Sequence, residues 1–304
     1  MASFIDKMFR KKEVRPLTGD ELLMRENYWS AAWRRFKKNK MAVISLVFVL
    51  IFVILAIFAP VIAPYPYSEQ HYDNTFSPPT LHFWFGTDDN GRDMLSRLLW
   101  ALRNATTVAI GSQFLVLVIG ILLGAIAGFR GGAIDVVIMR VVDIMMSFPV
   151  FLFNIILVTV MQRGLLTVII AIGVVNWAGL ARLVRGQIMA LKNAEFIEAA
   201  RALGAKDGHI IRKYLLPNTL GPIIVSMAFG IPGAMMIESG LSVLGLGLPP
   251  PMPSWGDLIG QGTAKFLGYP HLLIWPALTF ALVLLAYTYL ADGLLDALNP
   301  RSEA

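Results

Sequence analysis

No cysteine occurs among the 304 residues. That excludes a disulfide framework, thiolate catalysis and cysteine-ligated metals, while saying nothing about compartment. Charge is also scarce: 15% of residues are Asp, Glu, Lys or Arg, where soluble domains carry roughly 25%. A globule of this size lacks the polar surface it would need. There is no Gly-x-x-x-x-Gly-Lys-Ser/Thr loop, so the chain does not cradle nucleotide phosphates in that way. The four histidines, at 71, 82, 209 and 271, have no ligand spacing, and no nucleophile–base pair stands out. The sequence points to no catalytic residue, no metal and no cofactor.

What the chain has instead is apolar residue, 56% of the total, with a mean hydropathy of +0.64. It comes in runs. Six charge-free stretches are long enough to cross about 30 Å of hydrocarbon, which takes roughly 17–25 helical residues. They lie at 41–68 (the span itself near 41–63), 104–129, 144–162, 164–181, 214–237 and 266–291. The third and fourth are divided only by Arg163; joined, they would be far too long for one crossing. A seventh charge-free stretch, 239–256, holds four glycines and four prolines. Proline removes backbone donors, and unsatisfied backbone is not tolerated against lipid, so 238–265 reads as an external or re-entrant loop. The fold class is therefore all-α integral membrane, with six spans over a domain of residues 41–300.

Orientation follows from the cations. With residues 1–40 placed inside, the inner segments hold 21 Lys and Arg and the outer ones 5, so both termini are expected in the cytoplasm. The net charge of +6 does not indicate nucleic acid, because 11 of the 26 cations precede the first apolar run, where an anionic leaflet attracts them. The first span reads as an uncleaved anchor, since its charged leader is too long for a signal peptide. Before it, Trp29, Trp33 and Phe36 recur at helical spacing among Arg34, Arg35, Lys37 and Lys38. That suits either a helix lying in the lipid interface or an ordinary positive flank.

The loop at 182–213 is long for a connection between spans, and its centre reads Glu195-Phe196-Ile197-Glu198-Ala199-Ala200-Arg201-Ala202-Leu203-Gly204. Asn193 is a candidate cap, Glu195 favours the first turn, and Gly204 suits the left-handed terminating residue. Phe196, Ala199, Ala200 and Leu203 share one face, and Glu198 and Arg201 are spaced to pair. So short a helix is marginal alone in water; its apolar face needs something to dock on. Asp207 is a candidate cap for a second helix, and Leu216-Pro217 marks a break where the chain re-enters the membrane.

Glu198-Ala199-Ala200, Gly204 four residues later and then Leu216-Pro217 resemble the EAA signature of importer permeases of the ATP-binding-cassette class. Other stretches narrow the likeness. They include Phe85-Gly86-Thr87-Asp88, Gly91-Arg92-Asp93, Ser96-Arg97, Ser147-Phe148-Pro149, Ala181-Arg182, Val184-Arg185-Gly186-Gln187, Ser254-Trp255-Gly256 and Asp296-Ala297-Leu298-Asn299-Pro300. Together they resemble the C-type permease of the oligopeptide, dipeptide and nickel importers over roughly residues 30–300. The resemblance implies a type I importer fold in a bacterial or archaeal cytoplasmic membrane. It implies a homologous second permease, two separate ATPase subunits and an extracytoplasmic solute-binding protein. The 195–204 helix would then be the coupling helix seated on an ATPase. Short peptides lead as cargo, with nickel, glutathione or another small solute as alternatives. A secondary transporter is the remaining reading, against which the spans lack chains of carboxylates and histidines.

Three features stay open at this level. Gly120, Gly124 and Gly128 form a small-residue stripe, suited equally to packing inside the chain and to packing on a sister subunit. Asp88, Asp89 and Asp93 suit a tight turn better than a metal. Glu238, at the end of the fifth span, is a candidate for the path or outer gate, or else an interfacial cap.

Overall fold

A computed structural model describes residues 28–299, and within them the chain is helical, apart from one isolated bridge between Thr87 and Asp93. The leader 1–27 and the residues from Pro300 onward, which include parts of the 1–40 and 41–300 segments above, lie outside the described residues. The helices are α1 (Tyr28–Lys38), α2 (Lys40–Ile62), α3 (Met94–Arg130), α4 (Gly132–Ser147), α5 (Val150–Met161), α6 (Leu165–Leu191), α7 (Glu195–Ala202), α8 (Asp207–Ile210), α9 (Leu216–Val243), α10 (Trp255–Ala264) and α11 (His271–Leu298).

Five helical runs are long and apolar enough to cross a membrane: α2, α3, α6, the continuous run Asp207–Val243 and α11. The pair α4 and α5 has that capacity jointly, but bends by 91°. The cause is local. Phe148 is extended (φ −92°, ψ 143°) and Pro149 precedes α5, as expected where proline disfavours helix in the residue before it. The apolar stretch 144–162 thus straddles an elbow and is not one straight helix. Counting the bent pair as one crossing gives six.

The glycine stripe settles how α3 meets α6. A Cβ built on Gly120 would lie 2.9 Å from Leu180 Cβ, one on Gly124 would lie 2.5 Å from the Ala181 carbonyl, and one on Gly128 would lie 2.8 Å from that of Arg185. The stripe therefore packs inside the chain. Because the contacts rise together in sequence, α3 and α6 run parallel, and the bent pair must return the chain between them. Arg182 pairs with Asp143, and Arg185 with Asp135, tying α6 to α4.

This geometry defines two ends. One carries the 63–93 loop, α10 and the start of α11. The other carries α7, α1 and the end of α11, where Tyr28 donates to the Leu298 carbonyl at 2.8 Å. Along α2, Phe48, Ile51, Ile54, Ile57 and Phe58 are about half exposed, the surface of a helix whose outer face meets lipid. In α1 the aromatic row is divided. Phe36 is buried beside Ala42 and Ala297, while Trp29 and Trp33 remain exposed.

Candidate functional site

The short helix α7 forms as its sequence suggests, with one exception at its start. Ala194, extended at φ −70° and ψ 147°, is the N-cap, and Asn193 makes no capping bond. Without a side-chain acceptor, the Ile197 and Glu198 N–H groups bond the Ala194 carbonyl at 2.8 and 3.1 Å. The end is sharply built. Gly204 sits at φ +80°, its N–H donates to Arg201 O at 2.9 Å, and the Ala205 N–H reaches back to Ala200 O at 3.0 Å. These are the two bonds of a Schellman stop, in which glycine takes the left-handed residue without steric cost.

Packing divides the expected apolar face. Ala200 is buried, and with it Ile197, which is fully enclosed by a cluster that includes Val184, Ile188, Ile210, Leu215 and Ile223. Phe196 is 44% exposed and Leu203 89%, and Ala199 lies on the same open side. The helix is pinned by one face and offers the other. Glu195 and Glu198 are exposed, and among the described residues no ion pair joins Glu198 to Arg201. The Arg201 guanidinium instead lies over the Phe129 ring at 5.8 Å from its centroid. Ile197 was legible as a neighbour in the apolar run, but the face count favoured Phe196.

Beyond α7 the chain does not break at Leu216-Pro217. Lys206 caps α8, with Asp207 as its first residue. A single wide turn, Ile211–Leu215, then carries the helix into α9, with the Leu216 N–H bonded to Ile211 O, five residues back. A proline ring clashes with the carbonyl four residues before it; widening the turn relieves that clash without ending the helix.

At the opposite end, the Asp-rich turn is occupied by its own neighbours. Asp88 pairs with Arg92 at 2.7 Å and faces Arg97 at 3.5 Å, while Asp89 holds Lys265 at 2.6 Å. Asp93 caps α3, accepting from the Ser96 N–H at 2.8 Å. Arg97, 1% exposed, reaches Asp257 of α10 at 3.6 Å. Glu238 is fully buried one turn before the end of α9, where it accepts from Ser242 Oγ at 2.9 Å. Its carboxylate is enclosed in the wall, not presented at a surface.

Comparison with known proteins gives a consistent result. Residues 120–303 match the family described as binding-protein-dependent transport system inner membrane component. Residues 27–79 match the N-terminal transmembrane domain of oligopeptide transport permease C. The chain is 39% identical over 273 residues to the oligopeptide transport system permease protein OppC of Bacillus subtilis, covering 90% of each chain. It is 40% identical over 302 residues to OppC of Haemophilus influenzae, covering 99% of this chain and 95% of that one. Against the glutathione transport system permease protein GsiD of Escherichia coli it is 39% identical, covering 90% of each. In fold it resembles a chain of the inward-facing MetNI methionine ABC transporter, with a TM-score of 0.57 at 18% identity, over 68% of this chain and 98% of the other.

Proposed function

Because the chain belongs to the inner-membrane components of binding-protein-dependent transport systems, we propose that it forms half of an ATP-driven path for short peptides, beside a homologous second permease. It is a multi-pass membrane protein of the ABC importer permease class. The hydrolysis that drives it belongs to partner chains. Two ATPase subunits dock on the α7 end, which faces the cytoplasm with both termini, and an extracytoplasmic solute-binding protein delivers cargo to the other end. Membrane lipid covers the half-exposed apolar flank of α2.

The observation that carries this reading is the divided face of α7. Ile197 and Ala200 fix the helix to α6 and α9, so a push on Phe196, Ala199 and Leu203 is transmitted into two membrane helices. Closure of the ATPase pair on ATP would move that helix in both permeases and turn the path from one side of the membrane to the other. No bond is made or broken by this chain.

The test is affinity purification of the tagged chain from native membranes, comparing wild type with Phe196→Ala/Leu203→Ala. Truncating two anchors of this kind costs more than about 1 kcal/mol each, so ATPase affinity should fall by about tenfold or more. The second permease should stay bound, and uptake of a labelled tripeptide should fall in parallel. ATPases retained with normal uptake would sink the coupling assignment. Glutathione and nickel tested in the same assay identify the cargo; the 39% identity to a glutathione permease makes glutathione the second reading.

A further inference from the structure

Two neighbouring cavities, which share Ser226 in their linings, lie against α6 and α9. The larger, about 870 Å³, opens at the α7 end among Tyr28, Gln187, Asn218 and Ser226. The smaller, about 200 Å³, continues from Ser226 to Gln113, Asn176, Gly179 and Gly233. Ser226 belongs to both walls. Gln113 and Asn176 stand near the middles of α3 and α6, so the inner chamber lies at the depth of the hydrocarbon.

The lining chemistry is specific. Among the described residues no Asp, Glu, Lys, Arg or His lines either chamber. The polar groups are side-chain amides, two hydroxyls and the Trp29 indole. The amides and hydroxyls can both donate and accept, with Asn176 Nδ2 already donating to the Ile172 carbonyl at 2.8 Å. Gln113 is 7% exposed, lines the inner chamber and has no side-chain hydrogen-bond partner among the described residues. A buried amide left unpaired costs roughly 1–3 kcal/mol, so its partner must come from what fills the cavity. It is also seated on purpose: a Cβ on Gly230 would fall 2.2 Å from Gln113 Oε1. Gly179 and Gly233 differ, because a Cβ on either meets nothing within 4 Å. Their missing side chains keep space open and relieve no contact.

We propose that Gln113, Asn176 and Ser226 form the cargo-contacting wall of the translocation path, with Gly179 and Gly233 holding its bore open. The cargo class is an extended peptide backbone, whose amide N–H and C=O groups the wall pairs with in either sense. A wall without charge is indifferent to the charge of peptide side chains. This rests on the importer reading above and adds to it where the peptide passes.

The absence of native cysteine makes the test direct. Ser226→Cys and, as a control on the outer surface at half-exposed Ile274 of α11, Ile274→Cys each place a single thiol in this chain, within the assembled importer. A membrane-impermeant methanethiosulfonate attacks thiolate, which forms only where water reaches. Labelling at Ser226→Cys should exceed that at Ile274→Cys by about tenfold or more, and excess tripeptide with binding protein and ATP should slow it. Equal labelling at the two positions overturns the assignment. Gly179→Leu and Gly233→Leu, which have room to fold, should cut tripeptide uptake by about tenfold while ATP hydrolysis continues. Wild-type uptake in both leucine variants overturns the proposal, as does loss of the second permease from them, which would make this face a subunit contact. A wild-type assembly that takes up no peptide would overturn the peptide reading itself, and labelling of Ser226→Cys separates that failure from this one.

Discussion

At the end of the bundle that carries the 63–93 loop, charged groups find partners within the chain; at the end that carries α7, the apolar side chains of Phe196 and Leu203 stay exposed. Asp88, Arg92, Arg97 and Asp257 are joined over two helices and a turn, with Asp88 and Arg97 both nearly inaccessible. On α7, Leu203 is almost wholly exposed and Phe196 nearly half. A buried charge network paired internally does structural work, since desolvated charges are kept only where they are matched. Here the match is by charge, because Arg97 Nε and Nη1 make no hydrogen bond among the described residues. An apolar face left open on a helix too short to stand alone awaits a partner. The first end is built to hold its shape, and the second to be held.

That contrast is broken most forcefully at Arg97. Arg97→Ala removes a fully buried guanidinium that bridges Asp88, which keeps Arg92, and the part-exposed Asp257; breaking a buried pair costs up to about 3–5 kcal/mol. The detergent-solubilised variant should show a large drop in thermal midpoint by fluorescence-detected size exclusion. A shift no larger than that of an exposed site would mean the loop end is held by something else.

On α7 the same contrast can be drawn within one helix. Ile197→Ala empties a fully buried site and should cost about 2–5 kcal/mol. Phe196→Ala/Leu203→Ala should change stability by no more than about 0.5 kcal/mol, even as ATPases are lost. If the two variants melt alike, the face is not divided as described. Gly204→Ala is smaller again. At φ +80° a side chain costs about 1–2 kcal/mol, concentrated in the Schellman stop, so α7 should lose amide-exchange protection before the remainder of the bundle does.

The charge-free runs gave the crossings because hydrocarbon penalises charge at any position, a rule that needs no tertiary knowledge. It does not mark helix ends where charge is buried in protein. The apolar run starts at residue 104, while its helix α3 begins at Met94, with Arg97 in its first turn paired to Asp88 and Asp257. The elbow in 144–162 was foreshadowed by Ser147-Phe148-Pro149, but composition alone could not weigh a proline against an apolar run. At α7 the Gly204 stop was legible, because left-handed backbone is a local demand. Ile197 as the anchor was not, because which side of an amphipathic helix faces inward depends on Val184, Ile188 and Ile223. The amide wall had no sequence signal, since Gln113, Asn176 and Ser226 come together only once α3, α6 and α9 are assembled.

The smallest effect is a pH dependence at the loop end. Burial acts to raise the Asp89 carboxyl, but the hydrogen bond and charge of Lys265, backed by Arg92 and Arg97, outweigh it and hold the pKa below its ordinary 3.8. A carboxylate whose folded pKa is depressed contributes stability above its unfolded value, near pH 4, and loses it as pH falls through the folded one. Asp93 runs the other way. Burial raises its pKa despite the bonds from Ser96, so its folded form gains on protonation and offsets part of the loss. Asp89 and Lys265 are each about one-third exposed, enough for solvent to screen the pair, and Lys265→Met should cost about 0.5 kcal/mol or less. That cost should be complete at pH 6, shrink below pH 4 and vanish once Asp89 is protonated in both proteins. Thermal midpoints of wild type and variant that stay equally far apart down to pH 3 would place the contribution of Lys265 elsewhere, in its contact over the Phe76 ring at 5.0 Å, which does not titrate.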